Sequence, residues 1–129
     1  MNYYVDVILP LPLKGTFTYE LSQDEFNKLE IGFRVAVSFG KRKVYTGIVN
    51  ELHNSKPKSY ETKPIEFIYD DKSLVSQNQI DFWNWLSKYY FVPIGDIMKA
   101  AVPSTFLLES DSLIIKKEIS DYDYGKLSD

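Results

Sequence analysis

The 129-residue chain has no cysteine and only one histidine. Without cysteine there can be no disulfide, thiol nucleophile or thiolate metal site, and the composition fits a reducing compartment. The one histidine, His53, opens the polar run HNSKPKSYE with no carboxylate cluster beside it, which reads as a surface residue rather than a base or ligand. None of the glycines falls into a GxxxxGK[ST], GxGxxG or GxSxG pattern, so no phosphate loop, dinucleotide turn or nucleophile elbow is present. Asp70 and Asp71 are adjacent and would point to opposite faces of a strand, marking a strand end rather than an acid pair. No apolar run reaches the roughly 18 residues of a membrane-crossing helix, and Met1 leads into a polar-interrupted strand pattern rather than a signal peptide. These absences predict a cytoplasmic chain with no membrane partner, no cofactor of its own and no catalytic centre.

Aromatic residues are abundant. Hydrophobic residues make up 44% of the chain and aromatics 16%, enough for one domain with a real core and too many for a disordered segment. The net charge of −3 argues against a protein that coats nucleic acid through its phosphates. Charge is unevenly spread, however. Between Arg34 and Lys63 the balance is +5, and from Asp70 onward it is −4. The first segment is either a modest basic patch or simply a solvated face.

Periodicity divides the chain in two. The segments Tyr3 to Ile8, Phe17 to Leu21, Phe33 to Phe39, Val44 to Leu52 and Ile65 to Tyr69 alternate or concentrate β-branched and aromatic residues, which predicts five short strands. Pro10 and Pro12 in LPLPLKG end the first strand, and Gly40-Lys41-Arg42-Lys43 forms a charged hairpin tip. Ser22 and Glu25 form a capping box for one helical turn. Gly47 suggests a bend or a close backbone approach inside the fourth strand. Five short strands with such signals favour a small barrel over an open sheet with exposed edges. Beyond Asp70, Ser76 with Gln79 caps a helix from Gln77 to Phe91, and Pro93 starts a second from Ile94 to Ala101 that Pro103 stops. On the long helix, Asp81, Asn84 and Lys88 form a narrow polar stripe. Ile80, Phe82, Trp83, Trp85, Leu86, Tyr89 and Tyr90 take the rest, so the helix is expected to be wrapped on more than one side. The fold class is therefore mainly β with C-terminal helices: a small OB-like barrel packed by one long and one short helix. Leu113 to Glu118 reads as a further strand, and the chain as the N-terminal piece of something longer.

Three stretches in order, VILPLPLKGTFTYEL, GFRVAVSFGKRKVYTGIV and KYYFVPIGDIMKAAVPSTF, give the chain a family resemblance. They resemble the N-terminal domain of the PriA (primosomal protein N′) family of replication-restart helicases, over about Tyr3 to Pro103. The pair Tyr89-Tyr90 followed by Pro93-Ile94-Gly95-Asp96 is the most specific part. The resemblance implies that residues 1–105 form an OB-like domain that binds the 3′ end of the nascent leading strand at stalled forks. It also implies that residues 106–129 lead toward a winged-helix domain. An ATPase motor using ATP and Mg, and a Zn-binding segment, would lie outside these residues. Implied partners are branched or 3′-ended DNA, the winged-helix and helicase domains of the same polypeptide, and other primosome or single-strand-binding proteins.

By the same resemblance the family's base-tolerant pocket falls on Phe17 and Thr18 in GTFTY, Gly40 in SFGK and Lys63 in ETKPIEF. Phe17 would offer a flat surface to the terminal base. Gly40 would let backbone approach the nucleotide. Lys63 would reach a base edge or phosphate. The family often carries Asp where Thr18 stands; a hydroxyl accepts from a ribose 3′-OH less strongly than a carboxylate does. Tyr19, Lys41, Arg42 and Lys43 are expected as auxiliary DNA contacts. The rival reading, from a different class, is an SH3- or OB-like barrel that docks a peptide or its own motor domain through the aromatic helix.

Overall fold

Alternating inward side chains build the sheet, as a half-buried surface requires. In the computed structural model, which describes residues 2–40 and 43–107, the elements follow the chain in this order: β1 (Tyr3–Ile8), β2 (Phe17–Leu21), α1 (Gln23–Lys28), β3 (Arg34–Ser38), β4 (Val44–His53), β5 (Phe67–Ile68), α2 (Gln77–Tyr90), α3 (Ile94–Ala101) and a 3-10 turn, Ser104–Phe106. The expected strand at Leu113 to Glu118 lies outside the described residues. The five strands form one antiparallel sheet in the order β2-β1-β4-β3-β5.

The two ends of that sheet meet. The Glu20 N–H donates to the Lys63 carbonyl at 2.9 Å, and Glu20 forms a parallel bridge with Pro64. A few residues on, the N–H groups of Glu66 and Tyr69 donate to Ala36 and Arg34 of β3, at 2.8 and 3.0 Å. One segment thus touches β2 and then β3, which closes a small OB-like barrel. This also explains why β5 is only two residues long rather than the expected Ile65 to Tyr69. Pro64 has no N–H to give, and a segment that changes neighbours midway cannot keep one continuous ladder.

Strand β4 carries two irregularities. Gly47 packs against Val7, where a Cβ would run into the Val7 side chain and come within 2.8 Å of the Ile8 carbonyl, so this is the close approach its position suggested. The register slips between Asp6–Glu51 and Val7–Val49, which leaves Asn50 as a bulge. Asn50 Oδ1 then accepts from Asn84 Nδ2 of α2 at 2.8 Å, so the bulge turns a side chain toward the helix.

Two apolar clusters result. Inside the barrel lie Val5, Val7, Leu9, Tyr19, Leu21, Phe33, Val35, Val37 and Val49. Outside it, Ile8 and Ile48 receive the helices through Val75, Ile80, Trp83, Ile94, Met98 and Val102. Both capping boxes form: Ser22 with Glu25, and Ser76 with Gln79. Helix α2 departs from expectation on its apolar arc. Only Ile80 and Trp83 are buried, while Phe82, Trp85, Tyr89 and Tyr90 are each more than half exposed. A barrel this small presents one strip to the helix, and the remaining rings stack on each other instead, Phe82 with Trp85 at 6.2 Å and Trp85 with Tyr89 at 5.0 Å.

The LPLPL strip joins barrel and helices. Leu11 N–H donates to the Leu9 carbonyl and Leu13 N–H to Leu11, both at 2.8 Å, so two consecutive three-residue turns are centred on Pro10 and Pro12. The fixed φ of proline suits that conformation. Gly95 of α3 lies directly against the strip: a Cβ there would run into the Leu9 and Leu11 carbonyl oxygens and lie 2.9 Å from Leu11 N.

Candidate nucleic-acid interface

Pairing of Ile8 with Ile48 and of Ser38 with Val44 puts the β1–β2 connection and the β3–β4 hairpin at one end of the barrel. There the end of the sheet opens into a depression of about 320 Å³. Phe17, Thr18 and Tyr19 of β2 line it together with Ser38, Phe39 and Gly40 of the hairpin and Tyr60, Glu61 and Lys63 of the closing segment. Phe17, Thr18, Gly40 and Lys63, read from the sequence as a set, come together here.

Phe17 begins β2 and is half-buried. Its ring makes a T-shaped contact with Phe39 at 4.7 Å and lies 6.3 Å from Tyr60, so it is packed by neighbouring rings while the residue still reaches solvent. Tyr19 is buried in the barrel core, and its Oη donates to the Ser38 carbonyl at 2.7 Å. Burial, and secondarily the neighbouring Tyr60, push the Tyr19 phenol far above the ordinary tyrosine value, so it stays a neutral donor that pins β2 to the hairpin. That is a structural task, carried by a residue that also lines the depression.

Thr18 is tied at both ends. Its N–H donates to Tyr60 Oη at 2.8 Å, and its hydroxyl donates to Asp6 Oδ1 at 2.6 Å. The same carboxylate oxygen lies 2.8 Å from His53 Nε2, while His53 Nδ1 accepts from the Ser55 N–H at 3.0 Å. With Nδ1 accepting, Nε2 carries the proton and donates to Asp6. His53 is therefore no loop surface residue: it ends β4, half-buried, and braces Asp6 behind Thr18.

Gly40 adopts φ +70°, a left-handed turn that side chains resist, and a Cβ there would meet nothing within 4 Å. The turn conformation, rather than crowding, calls for glycine at this tip. Lys63 is exposed, and among the described residues no ion pair engages its ammonium. Lys43 is likewise exposed, and its carbonyl accepts from Phe39 N–H at 2.9 Å to close the hairpin; Lys41 and Arg42 lie outside the described residues.

The positive segment supplies fewer free cations than its sequence balance suggests. Arg34 is held by Asp70, with Nη2 to Oδ1 at 2.7 Å, Nε to both oxygens at 3.1 and 3.2 Å, and its backbone N–H to Oδ2 at 2.8 Å. Lys56 pairs with Glu61 at 3.3 Å on the surface. Asp70 thus ends the strand region by anchoring Arg34, as a strand terminus rather than half of an acid pair. No sequence signal marks Tyr60 or Asp6: Tyr60 lies 42 residues from Thr18 in the chain, and Asp6 looks like the polar partner in an alternating strand. Phe39 was legible as an apolar strand residue, but not as the ring against Phe17. Among the described residues no His, Cys, Asp and Glu group could hold a metal ion, and no helix is long and apolar enough to cross a membrane.

Comparison with known proteins identifies the family of this domain. Residues 6–103 match the family model of the PriA 3′DNA-binding domain (3′BD). The replication restart protein PriA of Buchnera aphidicola subsp. Acyrthosiphon pisum (strain APS) is 30% identical over 122 residues, covering 95% of this chain. Replication restart protein PriA of Treponema pallidum (strain Nichols) is 25% identical over 108 residues, 81% of the chain. The Buchnera aphidicola subsp. Schizaphis graminum (strain Sg) protein of the same name is 27% identical over 99 residues, 77% of the chain. The aligned part is 14–16% of the length of these curated relatives.

Proposed function

This chain belongs to the PriA 3′DNA-binding domain family, and from that premise we propose that its barrel-end depression captures the 3′ end of the nascent leading strand at stalled replication forks. The observation that carries the reading is that Phe17, Gly40 and Lys63, from three separate segments, line one open depression, with Phe17 packed against the barrel core yet only partly buried. Phe17 gives the terminal base a π-face that every base can use, worth about 1–3 kcal/mol, which suits an end whose sequence varies. Lys63 brings an exposed ammonium to a base edge or phosphate. The Thr18 hydroxyl donates its hydrogen bond to Asp6 and retains a lone pair that can accept from the ribose 3′-OH. The negatively charged Asp6 behind it polarises that oxygen, which offsets part of the loss of a carboxylate at this position. Holding one strand end needs few phosphate contacts, so an acidic chain can do it.

The test compares the binding of oligonucleotides ending in 3′-OH and in 3′-phosphate, for the wild type and for Phe17→Ala after its fold is confirmed by circular dichroism. End capture predicts that phosphorylation weakens wild-type binding markedly and that Phe17→Ala loses the preference. Equal binding of both ends by the wild type refutes it. In the longer protein the chain works as a cytoplasmic, non-catalytic module beside a winged-helix domain and a helicase motor that uses ATP and Mg and carries Zn. Fork DNA, other primosome proteins and single-strand-binding protein are its further partners. A second role, docking the rest of the same polypeptide, is favoured by the exposed Phe82, Trp85, Tyr89 and Tyr90 on α2.

A further inference from the structure

Helix α2 ends in an unusual way. Its cap, Phe91, has φ 58° and ψ 36°, a left-handed conformation in which glycine is the comfortable residue and a bulky ring is not. The ring adds nothing to the core, since Phe91 is 92% exposed. Its backbone is nevertheless held in place: Ser87 Oγ donates to the Val92 carbonyl at 2.6 Å, and the Val92 N–H returns to the Ser87 carbonyl at 3.2 Å. A residue that neither caps well nor packs, yet is fixed, marks a place where something else is met.

Phe91 stands in a groove of about 530 Å³ between the LPLPL strip and the α2–α3 turn, which Lys14 and Lys88 also line. Both lysines are exposed, and neither has an ion-pair partner among the described residues. The groove is distinct from the Phe17 depression but next to it in the chain: Gly15 lines one, Phe17 lines the other, and only Thr16 separates them. An exposed ring flanked by two exposed cations has the make-up of a single-strand subsite, with a stacking surface for a base and charges for the phosphates beside it.

We propose that this groove binds the segment of single-stranded DNA immediately 5′ of the captured terminal nucleotide, a reading that rests on end capture at the Phe17 depression. Phe91 stacks a base, Lys14 and Lys88 each contact a phosphate, and the strand crosses the Gly15–Thr16 ridge between the two sites. Charge complementarity, and the closeness of Gly15 and Phe17 along the chain, favour a nucleic-acid occupant over a protein one.

The test uses the 129-residue chain and fluorescence anisotropy with 3′-OH thymidine ligands, a 5′-labelled mononucleotide and a decanucleotide. Phe91→Gly relieves the left-handed cap, so its thermal midpoint should equal or exceed that of the wild type. Decanucleotide affinity should fall at least about five-fold in Phe91→Gly, with mononucleotide affinity unchanged. The double variant Lys14→Ala/Lys88→Ala should flatten the slope of log affinity against log salt for the decanucleotide by about 1.4, the value for two single-strand phosphates. An unchanged decanucleotide affinity in Phe91→Gly, an equal loss for both lengths, or an unchanged salt slope overturns the inference. If these variants behave as expected but the wild type ignores 3′ phosphorylation, end capture fails and the groove stands as a strand site. If the wild type binds no oligonucleotide, both fall, and the groove belongs to a protein partner.

Discussion

Gly95→Ala tests the contact that joins the barrel to its helices. A methyl at this position runs into the carbonyl oxygens of Leu9 and Leu11 and lies 2.9 Å from Leu11 N. All three are backbone atoms in a strip stiffened by Pro10 and Pro12 and closed by two 2.8 Å hydrogen bonds, so the strip cannot yield cheaply. Relief must come from α3 moving outward, which loosens Ile94 and Met98 from their packing with Ile8 and Trp83. Replacing a helical glycine by alanine favours the helix by at most about 1 kcal/mol. Overpacking costs about 1–3 kcal/mol, and backbone neighbours put this site at or above the upper end. The net expectation is a destabilisation of about 2 kcal/mol, which for a domain of this size lowers the thermal midpoint by about 10 °C. Thermal unfolding followed by circular dichroism reads it directly. A midpoint equal to or above that of the wild type would mean that helix propensity dominates and that α3 does not press on the strip, which would refute the reasoning.

Other consequences follow from the same contacts. Tyr19 is held neutral by burial, and Tyr69 is raised by burial too, against the opposing pull of a Thr46 hydrogen bond and Arg34. The unfolded chain therefore loses these protons first. Stability should be level up to about pH 10, the ordinary tyrosine value, and fall as pH rises beyond it toward the raised native values. Tyr19→Phe should flatten that alkaline fall in denaturant titrations while costing about 1 kcal/mol at neutral pH for the lost bond to Ser38. Asp70→Ala leaves the Arg34 guanidinium and its backbone N–H without their shared acceptor, and should cost about 2–3 kcal/mol in urea unfolding; a loss below 0.5 kcal/mol would place that pair among ordinary surface contacts. Trp85→Ala removes an exposed ring that, among the described residues, stacks only on its helix neighbours, so the domain's stability should change by less than about 1 kcal/mol. If α2 docks the rest of the longer protein, the same substitution should instead lower the stability of that protein.

What this sequence determined alone is what neighbouring residues decide between themselves. Alternation marked β1 to β4, Ser22 with Glu25 and Ser76 with Gln79 marked two helix starts, and proline and glycine placed the strip and the hairpin tip. Each of these rests on contacts a few residues apart, so a linear reading can reach it. The set Phe17, Thr18, Gly40 and Lys63 was legible only through family resemblance, since nothing in their spacing unites them. Tertiary structure decided the rest. It cut β5 to two residues because the closing segment serves β2 and then β3, and it brought Tyr60 to the Thr18 amide across 42 residues. It drew His53 off the surface onto Asp6 and left the rings of α2 in solvent, because the barrel wall is too narrow to cover more than Ile80 and Trp83. These outcomes depend on which distant surfaces meet and how much area each can cover, and a one-dimensional pattern of apolar residues does not contain that information.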